Sequence, residues 1–130
     1  MLVIITSLYA ALLAIIWFVL FGAVGRLHGK HNISLGDGGL ADMIVANRRH
    51  MNFVESVPLA LILILLVDLN GGSATWVHAL GIVLVVSRII HPFGLSIETM
   101  NTPARVIGAG GTVFVILGAA ITLLWQFFKG

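Results

Sequence analysis

Arg48, Asn52 and Glu55 follow one another at intervals of four and three residues. On a helix turning by roughly 100° per residue, Asn52 and Glu55 then fall within about 40° and 20° of the direction of Arg48. A guanidinium, a carboxamide and a carboxylate therefore share one stripe. Twelve uncharged residues follow Glu55, which puts its carboxylate at or below a membrane interface, where an ionisable group is costly without a partner. Two readings stand for the stripe: an Arg48 to Glu55 ion pair that joins helices, or a ligand site. Pro58 takes the usual hydrogen-bond partner from the Val54 carbonyl, and a bend there would open space beside the stripe. Packing alone explains such prolines equally well.

Arg88 and His91 lie three residues apart and share a helix face. Arg88 could instead snorkel to the interface on its long stem. Arg105 opens the last apolar segment, where a cation opposes the helix dipole, so something other than helix stability should explain it; anion binding is one explanation. His78, alone in an apolar span, reads as an inter-helix hydrogen-bonding residue rather than a ligand. The five His residues make no paired motif with acidic support, so no zinc or iron site is expected. The chain has no Cys, which excludes a disulfide framework, a thiolate metal site and a cysteine nucleophile. Any thiol chemistry must use a borrowed thiol.

The elements that must position these residues follow from composition. The 130 residues are 59% hydrophobic and 9% charged, with a mean hydropathy of +1.11, so a bilayer rather than water is the solvent for most of the surface. About 20 apolar residues cross a ~30 Å hydrocarbon layer, and the chain reads as a single all-α integral membrane domain, 1–130, with four spans at about 2–25, 40–69, 74–91 and 103–128. No charge occurs from Met1 to Gly25. No basic stretch precedes this run and no small-residue cleavage site follows it, so the first span is expected to stay in the membrane. Arg26 to Gly39 has the Gly, Asn and Ser content of a loop. Asn70, Gly71 and Gly72 form a turn, with Ser73 as N-cap of the third span. His91-Pro92-Phe93-Gly94 should kink or end that span, and Pro103 suits the first turn of the fourth. Gly108, Gly111 and Gly118 make a small-residue stripe on which another helix can pack closely.

Six of the seven Lys and Arg residues lie towards the first and third loops. By the positive-inside rule these loops are expected to be cytoplasmic and both termini on the opposite side. Basic residues flanking apolar spans also account for the sequence pI of about 9.7 without a nucleic-acid partner. A transporter or channel is disfavoured, because the charges gather at one end instead of lining a path across the bilayer.

The run Arg48-Arg49-His50-Met51-Asn52-Phe53-Val54-Glu55-Ser56-Val57-Pro58, the pair Arg88 and His91, and the segment Pro103-Ala104-Arg105 together resemble the MAPEG family, the membrane-associated proteins in eicosanoid and glutathione metabolism. The resemblance covers essentially the whole chain and points to a bacterial-type member similar to microsomal glutathione transferases. It implies a homotrimer in the bacterial inner membrane, with glutathione as cosubstrate bound between neighbouring subunits and no metal. It places Arg105 as the catalytic group that stabilises the thiolate. It makes Arg48, Asn52, Glu55, Arg88 and His91 the polar cradle, with Arg26 added from the end of helix 1. The partners it implies are a lipophilic small-molecule substrate and membrane lipids. The chemistry is compatible: glutathione carries carboxylates for Arg, an ammonium for Glu55 and amides for Asn52, and a nearby guanidinium raises the thiolate fraction. Leu95 stands where many eicosanoid-active relatives have Tyr, and Val106 where some have Ser. A general glutathione transferase or peroxidase is therefore expected, rather than a prostaglandin or leukotriene synthase. The alternative is a non-catalytic lipid-binding or scaffold protein of the same fold.

Overall fold

A computed structural model describes residues 3–130, and the expected start of the first helix at Leu2 lies outside them. Among the described residues the chain is all-helical, with α1 Ile4–His31, α2 Ala41–Leu69, α3 Ala74–Ile90, a 3-10 turn His91–Gly94 and α4 Pro103–Lys129. Four segments among the described residues are long and apolar enough to cross a membrane: α1, α2, α4, and α3 taken together with the 3-10 turn as Ala74–Gly94. The outer surface is correspondingly apolar, with Phe18 68% and Phe127 78% exposed, as lipid contact requires. The core between the helices is built from Leu13, Phe53, Ile64, Leu80, Leu84 and Val115.

Helix α1 does not end at Gly25. It continues to His31 because charged side chains stop a hydrocarbon span without stopping a helix, and its 28 residues give about 42 Å at ~1.5 Å per residue, well beyond a ~30 Å core. What ends it is Asn32, held at φ 53° with its backbone N–H donating to the Gly29 carbonyl; Asn is one of the few residues that adopts this left-handed conformation readily. Helix α2 runs uninterrupted through Pro58. The connection to α3 is tight, with Gly71 at φ 77°, and the Ser73 hydroxyl accepts from the Trp76 N–H at 3.3 Å, the N-cap expected from sequence.

The glycine stripe of α4 faces α3. A Cβ on Gly108 would lie 2.5 Å from His91 Cβ and 2.7 Å from its Cα, and Gly118 lies against Trp76. At the end of the bundle away from the six clustered Arg and Lys residues, polar groups pair across helices. Thr6 donates its hydroxyl to Asp68 Oδ2 at 2.7 Å and its N–H to the same oxygen at 3.3 Å. The Tyr9 hydroxyl meets His78 Nδ1 at 2.7 Å, so His78 is the inter-helix residue its isolation indicated. Inter-helix hydrogen bonds inside membranes are worth about 0.6 to 2 kcal/mol. Tyr9→Phe is therefore expected to lower unfolding stability in detergent by about 1 kcal/mol, read as a small drop in the thermal midpoint with no change in ligand binding at the other end.

Candidate functional site

At the basic end of the bundle, three segments converge on a cavity of about 260 Å³. Helix α2 contributes Arg48 and Asn52, the 3-10 turn contributes His91, and α4 contributes Arg105. Leu95 to Ile97, in the loop that follows the turn, close one side. Four of the seven residues expected from sequence thus meet in one place. Neither Asp nor Glu lines this cavity, so Arg48 and Arg105 give it a positive field suited to an anion.

The position of Arg105 is set locally. Thr102 caps α4 by accepting from the Arg105 N–H at 3.2 Å, and its hydroxyl donates to the Gly94 carbonyl at 2.8 Å. One hydroxyl therefore ties the first turn of α4 to the end of the 3-10 turn. Gly94 permits the approach, since a Cβ there would collide with the Arg105 backbone nitrogen. The Arg105 guanidinium spends one N–H on the Met100 carbonyl at 3.2 Å and retains the rest of its five donors. Arg105 and Ala109 also border a second, outer cavity of about 300 Å³ with Met100, Asn101 and Val106. The arginine therefore stands between the inner cleft and a cavity on the outer side of α4.

The other three expected residues lie elsewhere. Arg88 is 3% exposed and does not line the cleft. Its Nη1 donates to Asn52 Oδ1 at 2.8 Å and Ser56 Oγ at 3.2 Å, and its Nη2 donates to the Gly108 carbonyl at 2.8 Å. It joins α2, α3 and α4 and fixes the Asn52 carboxamide, leaving the Asn52 amide N–H groups for another acceptor. Glu55 is half-exposed on the outer face of α2, with its Oε1 3.6 Å from Arg48 Nη1. At that distance and exposure the pair contributes little to stability by itself. Arg26 lies across the Leu95–Ile97 segment, in a neighbouring cavity. Residues not singled out from sequence also matter. Ser56 joins the Arg88 network and donates to the Asn52 carbonyl at 2.7 Å, a role its place one residue after Glu55 did not reveal. Thr102 is the N-cap of α4, and its one signal in the sequence is a hydroxyl directly before the Pro103 that opens the helix.

The cleft is small beside the ~300–1,000 Å³ usual for ligand pockets, and Glu55 faces away from the body of the chain. One chain thus presents a small cationic cleft and a half-exposed charged stripe beside it.

The sequence model of the MAPEG family matches residues 6–125. The inner membrane protein YecN of Escherichia coli K12 is 36% identical over 121 residues, covering 93% of this chain and 91% of the relative. YecN of E. coli O6:H1 matches equally. No solved structure gives a significant match. The match takes in most of all four helices and every residue that lines the cleft, so this chain belongs to the MAPEG family.

Proposed function

We propose that the protein is a glutathione-dependent transferase or peroxidase of the inner membrane that acts on lipophilic electrophiles. The observation that carries this reading is the meeting of Arg48, Asn52, His91 and Arg105 in one carboxylate-free cleft. Arg48 takes a glutathione carboxylate, Asn52 bonds a peptide amide, and Glu55 takes the ammonium. Arg105 stabilises the thiolate, helped by the positive end of α4. His91 forms the buried wall of the cleft, and Arg88 acts through Asn52. In conjugation the thiolate sulfur bonds to the electrophilic carbon and the leaving group departs with its electron pair. The electrophile approaches Arg105 from the outer cavity, which opens beside the exposed Val106.

The partial cleft and the outward Arg48 and Glu55 pair support assembly as a homotrimer in which a neighbouring subunit completes the site, because a charged stripe facing lipid is costly and one facing a subunit and ligand is not. The basic loops face the cytoplasm, where the thiol peptide is available. The apolar Leu95 and Ile97 in the cavity wall favour one second reading, a non-catalytic protein that holds a lipid.

Calorimetric titration of glutathione into the detergent-purified protein tests the proposal. Wild type is expected to bind. Glu55→Gln is expected to bind about tenfold more weakly, the loss of one charge-assisted hydrogen bond worth about 1.5 kcal/mol. Unchanged affinity rejects the ammonium contact. No binding by wild type, together with a fatty acid carried through extraction, favours the second reading.

A further inference from the structure

Next to the cleft, on the other side of Leu95, Ser96 and Ile97, lies a larger cavity of about 530 Å³ between α1, α2 and the segment before α4. Arg26 and Arg49 enter it from α1 and α2, and Glu98 from the connecting segment. Among the described residues, neither guanidinium forms an ion pair and Glu98 has no basic partner. The three charges therefore line one space without meeting each other. Asp42 also lines it, but His31 at 2.8 Å and Lys30 at 3.9 Å already engage that carboxylate. Arg49 donates one N–H to the Leu95 carbonyl at 3.3 Å, and its buried Nε has no acceptor. The remaining wall includes the apolar Ala23, Leu27, Val45 and Ile97.

Two cations held apart from one anion call for a ligand that carries both charges. The two arginines attract an anion and Glu98 attracts a cation, so a ligand with both charges satisfies all three groups where a simple anion leaves Glu98 unpaired. The apolar wall, and the position of Arg26 immediately after the uncharged run of α1, put the cavity at the level of lipid headgroups. We propose that it binds the zwitterionic headgroup of an aminophospholipid such as phosphatidylethanolamine. The phosphate sits on Arg26 and Arg49, the primary ammonium on Glu98, and the acyl chains lie against the apolar side of α1. Arginine suits the phosphate because its fork can bond two oxygens at once. The inference does not rest on glutathione binding, and it gives Arg26 a ligand other than the thiol peptide.

Native mass spectrometry of the delipidated protein in micelles holding equal amounts of phosphatidylethanolamine, phosphatidylglycerol and phosphatidylcholine tests the inference. Wild type is expected to retain phosphatidylethanolamine about fivefold or more over each of the others, the size of one headgroup charge contact at a membrane surface. Glu98→Gln should abolish the preference over phosphatidylglycerol, and Arg26→Gln should lower retention of all three. Both side chains are exposed and make no hydrogen bond within the described chain, so both variants should melt like wild type. Equal retention of the three lipids by wild type, or an unchanged preference in Glu98→Gln, overturns the assignment. Displacement of the lipid by free O-phosphoethanolamine would show a soluble zwitterion to be the ligand. Displacement by glutathione would assign the cavity to the thiol site. Either result also overturns it.

Discussion

Arg105→Ala is expected to lower the turnover of glutathione with a model aryl halide by about 10²- to 10³-fold, the usual cost of removing one positioned donor from a developing or stabilised anion. Glutathione affinity should change by less than about threefold, because in the proposed site the carboxylate, amide and ammonium contacts fall to Arg48, Asn52 and Glu55. The pH dependence should move as well. A guanidinium beside the sulfur favours the thiolate and holds its pKa down; without it, the rise in rate should shift to higher pH, towards the ordinary thiol value of about 8.5. Stability should not fall with activity. A cation in the first turn of a helix opposes the dipole by a few tenths of a kcal/mol, and the Met100 carbonyl that Arg105 holds is solvent-accessible. Steady-state kinetics, a pH profile and a melting curve on one variant check all of this. Equal losses in binding and turnover would reject the thiolate role.

Gly108→Ala should damage the fold and the site together. The new methyl would lie 2.5 Å from His91 Cβ, 2.7 Å from His91 Cα and 2.9 Å from the Ser87 carbonyl. Two of these three neighbours are backbone atoms, so no side chain can swing away to make room. Helices α3 and α4 must separate, which lengthens the 2.8 Å bond from Arg88 to the Gly108 carbonyl and draws Arg105 away from His91. Overpacking costs about 1–3 kcal/mol and a weakened buried bond to a charged group about 1 kcal/mol or more, so a loss of about 2–4 kcal/mol is expected. Gly110→Ala is the control. A Cβ there meets nothing within 4 Å, and the gain in helix propensity, at most about 1 kcal/mol, should leave it as stable as wild type or slightly more so. Chemical denaturation in detergent compares the two. Equal midpoints would show that α3 and α4 are not in the close contact described.

The sequence carried the membrane class and the four helices because hydrocarbon length is a one-dimensional quantity, read directly from uncharged runs. It carried the Ser73 cap and the Asn70 to Gly72 turn because those are local backbone chemistry. The end of α1 was misplaced by six residues because Arg26 and the glycines that follow report where lipid stops, while the helix stops only where Asn32 turns the backbone. Arg88 shows a different limit. Its spacing to His91 put both on one face, but its bonds to Asn52, 36 residues away, and to Gly108 depend on how α2 and α4 pack against that face. Local periodicity holds no information about that choice. Arg26 shows the same limit: its position along α1 was plain, whereas the loop that separates it from Arg48 and Arg105 is a product of the tertiary fold.

The segment between Gly94 and Thr102 is anchored at both ends by the Thr102 hydroxyl bond, and its residues border three cavities: Leu95 to Ile97 the inner cleft, Leu95 to Glu98 the neighbouring one, and Met100 and Asn101 the outer one. Its side chains belong to walls and not to the packed core. Substitutions at the six of these positions that border a cavity can therefore reshape the cavities while the helices stay in register, so this short stretch separates the form of the pockets from the packing of the scaffold.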